Sequence, residues 1–128
     1  MRKIDTKSLL PNDEFSHLPT NKLLEILESG LLLERGRALF MLARRSGNDQ
    51  EISRIVVQEI CEPKNRNSKT IGIVSISFLG IAGLLEADTD NTKETVKHLI
   101  ESWTEAERSD LLVFLQLMYP SDFISSIT

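Results

Sequence analysis

The residues able to do acid–base, nucleophilic or metal chemistry are few. Two histidines, His17 and His98, and one cysteine, Cys61, are all that the chain offers as bases, thiol nucleophiles and soft metal ligands. His17 falls in an irregular stretch, and His98, beside Leu99 and Ile100, reads as a helix-surface or boundary position and not as a base. Cys61 ends an apolar helical stripe, where a free core or boundary thiol is a plainer reading than a nucleophile brought to His98. One cysteine permits neither an intramolecular disulfide nor a Cys-rich zinc site. The HExxH, GxxxxGK and GxGxxG patterns are absent, which removes the enzyme classes that carry those signatures. Asp88, Asp90 and Asn91 begin like a calcium loop, but Lys93 stands where an EF-hand places Gly and Leu99 where it places a bidentate Glu. The expectation is a chain with no catalytic residue, no metal and no cofactor.

Charge is the second kind of chemistry available. Lys plus Arg number 15 against 19 Asp plus Glu, a formal net charge of −4. That balance argues against a general nucleic-acid binder, whose affinity comes from clustered basic residues on phosphates, and suits a basic protein partner. Glu86, Asp88 and Asp90 bracket one polar break, and Glu105, Glu107 and Asp110 open the following helix. These six are the expected partner-binding residues, forming an acidic docking edge; the alternative for the first three is a solvated loop between helices. Arg35, Arg37, Arg44 and Arg45 form a basic group, with Arg37 and Arg44 on one helix face and Lys64, Arg66 and Lys69 in a neighbouring loop. It is either a phosphate-binding strip or a set of solvated charges paired with Glu34, Glu25 or Glu28. Trp103, the sole tryptophan, is either a core plug between the last two helices or a binding anchor.

Positioning these residues falls to helices. The centre is Thr70–Leu85, TIGIVSISFLGIAGLL, which carries no charge. Ile71, Ile73, Ile76 and Phe78 alternate as a strand would, whereas Val74, Phe78, Ile81 and Leu85 recur at helical spacing. We read it as one helix buried on most sides, too short for a confident membrane span, with Gly72, Gly80 and Gly83 permitting close helix contact. Around it, Thr20 caps a helix that Ser29-Gly30 stops, and a second runs from about Leu31 to Arg45. Asn48 with Glu51 caps a third, Ser68 caps the central one, Asn91 with Glu94 caps a fifth, and Thr104-Glu105-Ala106-Glu107 opens a sixth that Tyr119-Pro120 closes. Residues Met1–His17 form an arm or short helix laid over the first pair.

The six helices fall into three pairs, at residues 20–47, 48–86 and 91–119, within a single domain spanning residues 1–128. Ala38, Leu39, Leu42 and Ala43 recur as Ser75, Ile76, Leu79 and Gly80, and then as Leu111, Leu112, Leu115 and Gln116, where the large positions survive and the small ones do not. A period of about 37–40 residues suits a helical solenoid, whose pairs bury their faces by stacking. The stretch LLEILESGLLLERGRALFMLARRSG, Leu23 to Gly47, resembles a HEAT repeat, with Arg35 where the family's arginine sits. Gly30-Leu31 replaces the family's usual Asp-Pro-like turn, and Glu34 replaces the valine beside the arginine.

That resemblance implies an all-α fold, a short α-α superhelix of about three HEAT-like pairs with a short N-terminal arm or helix. It also implies a protein-binding scaffold, sometimes a nucleic-acid binder and occasionally an enzyme. Three pairs offer surface for a single partner, and the small acidic chain is similar in fold and charge to bacterial immunity proteins that neutralise a cognate toxin. The expected activity is a non-enzymatic block of a basic, nuclease-like toxin, with a general adaptor or regulatory subunit as the alternative and a nucleic-acid binder as the third class. The first residues lack a signal-like apolar run, so the expected location is cytoplasmic, with no membrane partner and the oligomeric state open.

Overall fold

The computed structural model describes residues 15 and 17–125. Helices carry the fold. They are α1 (Thr20–Ser29), α2 (Leu32–Arg45), α3 (Gln50–Cys61), the short α4 (Pro63–Asn67), α5 (Ile76–Ala87), α6 (Asp90–Glu101) and α7 (Glu105–Met118). A 3-10 turn, Ser46–Asn48, leads from α2 towards α3, and a small antiparallel hairpin, β1 (Lys69–Ile71) and β2 (Val74–Ser75), precedes α5. Most of the expected N-terminal arm lies outside the described residues; Phe15 and Leu18 pack against the core, partly buried.

The central apolar stretch is therefore not one helix. Its first residues form the hairpin, turning at Gly72-Ile73, where Gly72 takes φ +55°. Glycine at the first turn position is what a tight hairpin of this hand requires. Helix α5 starts only after Ser75, whose hydroxyl accepts from Phe78 N at 3.2 Å. Ser68, the expected cap, lies before β1; its carbonyl accepts instead from Ile76 N. Of the locally alternating pair, Ile71 ends β1 and Ile73 lies in the turn, so the strand-like spacing fell on the hairpin without tracing a single strand.

From Ile76 to Leu85 every residue of α5 is buried, so α5 has no polar face and depends on its neighbours for stability. Its main neighbour is α2. Gly80 faces Leu39 and Ile60, and Gly83 faces the Phe40 carbonyl and the Ala43 methyl. Contacts that advance together along both helices mean that α2 and α5 run parallel, held close by the absence of side chains at the two glycines. The recurring set Ala38, Leu39, Leu42 and Ala43, and its counterpart Ser75, Ile76, Leu79 and Gly80, are all buried. In the third set Leu111 and Leu115 are buried while Gln116 is exposed. There the gap between α5 and α7 is filled by rings: Phe78 stacks on Trp103 at 5.8 Å and on Phe114 at 6.1 Å. Trp103 is a core plug.

Several helix starts differ by one or two residues from those expected. Pro19 precedes α1 without a side-chain cap, so Thr20 is the first helical residue. Asp49 and not Asn48 caps α3, accepting from Ile52 N. Thr89 caps α6 in a reciprocal box with Thr92, displacing the expected Asn91–Glu94 pair. Thr104 caps α7 as its motif predicts.

Candidate protein-binding site

The six acidic residues are divided between the two ends of α7. Glu86, Asp88 and Asp90 surround the turn from α5 to α6, and Glu86 reaches the C-terminal end of α7, where its carboxylate accepts from the Tyr119 hydroxyl. Glu105, Glu107 and Asp110 sit on the first turns of α7. Glu107 and Tyr119 are about 18 Å apart along the helix axis at 1.5 Å per residue, so the triplets form two groups and not one continuous edge.

Half of the acids are answered by cations of the same chain. Arg44 Nε lies 3.5 Å from Glu86, and Lys93 Nζ 2.9 Å from Asp88. Arg66 grips Glu107 with both arms of its guanidinium, at 3.1 and 2.5 Å, and lies over the Trp103 ring. Hydrogen bonds from Arg66 hold the Glu107 carboxyl below the usual glutamate range, against partial burial that pushes it up. Burial, and then the bond to Glu86, push the Tyr119 phenol far above its ordinary value. Asp90 and Glu105 are exposed, and Asp110 is half-buried.

These pairings also tie the fold together at both ends. At one end Arg44, Glu86 and Tyr119 join the C-terminal ends of α2, α5 and α7. At the other, Arg35 Nε donates to Leu27 O at 3.0 Å and its Nη2 to Asn65 Oδ1 at 2.8 Å. Asn65, fully buried, donates on to the carbonyl and carboxylate of Glu59 at 2.7 and 2.8 Å. With Arg66 bound to Glu107, the short α4 thus links the starts of α2 and α7. Much of the basic group is therefore structural: Arg35, Arg44 and Arg66 have internal partners, while Glu25 pairs with Lys22 at 3.3 Å and not with an arginine. Cys61 is exposed, not a core thiol, and His98 is a surface residue 3.9 Å from Glu101. Among the described residues no cluster of His, Cys, Asp and Glu could hold a metal ion, and no helix is long and apolar enough to cross a membrane.

The outward face of α7 combines charge with apolar surface. Val113 is 45 % and Leu117 65 % exposed, on the side opposite the buried Leu111, Phe114 and Leu115. Asp110, three residues before Val113 and seven before Leu117, shares their side of the helix, while Glu105 lies eight residues, about 12 Å along the axis, before Val113. Composition marked these acids; the apolar pair was missed because Val113 and Leu117 lie within an Leu-rich run whose inward and outward members look alike in sequence.

Comparison of the chain with protein-family models, with curated proteins and with solved structures gave no match. The functional reading therefore rests on the surface itself.

Proposed function

We propose that this protein is a non-enzymatic protein-binding module built as a HEAT-like stack of three helical pairs, and that it acts as an immunity protein or inhibitor of a basic, nuclease-like toxin in the cytoplasm. The observation that carries the reading is the outward face of α7, where Val113 and Leu117 stand exposed after Asp110 on the same side of the helix, with Glu105 at the helix start. Solvent-exposed apolar anchors supply affinity once desolvated, and the carboxylates around them accelerate encounter with a basic surface and select for it. The parallel course of α2 and α5, and the convergence of the ends of α2, α5 and α7 on Arg44, Glu86 and Tyr119, support the superhelix. Because Glu86, Asp88 and Glu107 already have internal partners, Asp90, Glu105 and Asp110, which form no salt bridge among the described residues, carry more of the external field in this proposal.

The test is capture of partners by the tagged protein at low and high salt, repeated with Glu105→Lys/Asp110→Lys and with Val113→Ser/Leu117→Ser. One basic partner, retained by the native chain and released by either variant, with its toxic activity silenced on binding, is the expected result. A partner held equally by both variants refutes the α7 face; a partner without toxic activity favours the adaptor reading, and recovery of nucleic acid alone favours the third.

A further inference from the structure

Arg66 occupies a place that would suit any guanidinium. Its Nε and Nη2 donate to the two carboxylate oxygens of Glu107 at 3.1 and 2.5 Å, and its Cζ lies 5.5 Å from the centre of the Trp103 ring. A planar fork matches a carboxylate with two parallel bonds, and a flat cation is attracted to the face of an indole. The fold fixes both supports independently of Arg66. Trp103 is buried and stacks on Phe78 at 5.8 Å, and Glu107 stands on the first turn of α7, its N–H donating to the Thr104 hydroxyl at 3.1 Å. Arg66 is more lightly held. Helix α4 has one buried residue, Asn65, whose bonds with Arg35 and Glu59 keep α4 in place whether or not Arg66 is engaged. The Arg66 and Glu107 side chains are 27 % and 28 % exposed, so Arg66 can swing into solvent without the core opening.

We propose that Glu107 and Trp103 form a guanidinium-binding site, that Arg66 is its internal and exchangeable occupant, and that an arginine of the basic partner displaces it. The inference rests on the α7 face as the docking surface, which the site adjoins: Glu107 precedes Asp110 by three residues, and the exposed Val113 and Leu117 follow on the side of Asp110. The exchange trades one guanidinium for another, so the half-buried carboxylate is never left without its bonds, which would be the costly outcome. A lysine fits less well, because a compact ammonium cannot form the paired bonds of the fork. Free arginine competes poorly with a side chain tethered beside the site, whose effective concentration is high. A partner anchored on Val113 and Leu117 presents its own arginine on equal terms. Arg66 thus acts as a placeholder that yields to arginine-bearing surfaces.

The site is tested first without a partner. Arginine amide is titrated into Arg66→Ala, which vacates the site, and into Arg66→Ala/Glu107→Gln, with lysine amide at matched ionic strength as the control, and fluorescence of Trp103, the sole tryptophan, is followed. Arginine amide bound by Arg66→Ala at least about tenfold more tightly than by the double variant, and than lysine amide, with Tm raised towards the native value, is the expected result. Should Arg66→Ala fail to fold, recovery of its helical circular dichroism by arginine amide and not by lysine amide is the same result. In the native chain, excess arginine amide moves the NMR signal of the Arg66 Nε–H to that of a solvated arginine. Equal binding by the single and double variants, no preference over lysine amide, no recovery of an unfolded Arg66→Ala, or an Arg66 signal unmoved until the chain unfolds overturns the proposal. A captured partner then leaves Arg66→Ala about tenfold more slowly than the native chain, since its internal competitor is gone; release unchanged or faster marks Arg66 as a structural tie alone and equally overturns the exchange. A partner indifferent to Val113→Ser/Leu117→Ser refutes the α7 face instead, and the arginine amide titration still decides the site.

Discussion

Replacing Gly83 by Ala tests the packing argument where it is most exposed to error. A methyl group built at this position lies 2.4 Å from the Phe40 carbonyl oxygen and 2.6 Å from the Ala43 Cβ. Neither obstacle can rotate away, so α2 and α5 must separate. Intrinsic helix propensity works in the opposite direction, because Ala is favoured over Gly by about 1 kcal/mol inside a helix. Overpacking a well-filled core costs about 1–3 kcal/mol, and rigid obstacles on the most extensive helix–helix contact put this case at the upper end. The net expectation is a loss of about 2 kcal/mol, or about 7 °C in Tm for a chain of this length. Gly80→Ala is the internal control: its methyl meets Ile60 Cγ1 at 2.7 Å and the side-chain tips of Ile60 and Leu39 at 3.0 Å. Side chains of that kind can adjust, so the propensity gain roughly cancels the crowding and stability changes little. Urea unfolding followed by fluorescence of Trp103, the only tryptophan and a buried one, reads both variants directly. Adding Ala43→Gly to Gly83→Ala removes one of the two obstacles and recovers part of the loss, so the two substitutions are non-additive. Gly83→Ala as stable as the native chain, or Gly80→Ala equally damaging, refutes the account of a parallel pair held close by glycine.

The polar ties make two further predictions. Tyr119 is the only tyrosine, so absorbance titration reports it alone: the phenol stays protonated in the folded chain as pH rises past 10, and ionises there once urea has unfolded it. Its folded pKa is raised, so its contribution to stability is present below about pH 10 and is lost as pH climbs beyond that; Tyr119→Phe costs about 1.5–3 kcal/mol by removing a bond to a charged group, and ionisation at the ordinary phenol pH would refute the buried tie. Glu107 has the opposite sign, since Arg66 depresses its folded pKa: its contribution is present above the ordinary glutamate value, about 4.3, and fades as pH falls through the lower folded one. The stability gap between the native chain and Glu107→Gln should therefore be constant from neutral pH to about pH 5 and close in acid, as denaturation midpoints at several pH values will measure; a gap independent of pH removes the Arg66–Glu107 pair from the stability argument.

Helix identity was largely legible from residue pattern and stop signals. Ser29-Gly30, the Thr104–Glu107 capping sequence and Tyr119-Pro120 all mark real boundaries, because caps and breakers act within one turn of chain. The same local physics explains the small errors. Asn48 and Asp49, or Thr89 and Asn91, are chemically similar caps, and the choice between them depends on which oxygen meets a free N–H at the geometry the incoming chain imposes. The Thr70–Leu85 stretch was harder, since burial of every residue from Ile76 to Leu85 removes the polar face that distinguishes period 2 from period 3.6.

What the sequence by itself determined is the existence of six main helices, though not the short α4 or the hairpin before α5, the acidic balance, the recurring small and large positions, and the scarcity of residues suited to catalysis. Tertiary structure alone decided which charges remain for a partner. Arg66 meets Glu107 across a sequence separation of 41 residues, and Tyr119 meets Glu86 across 33; neither pairing has a local signature, because a salt bridge depends on where two helices end in space and not on what flanks either residue. For the same reason composition marked six acids as one edge, whereas the fold divides them between the two ends of α7, and the apolar pair Val113 and Leu117 became distinguishable from buried leucines only when the helix had a neighbour on one side and solvent on the other.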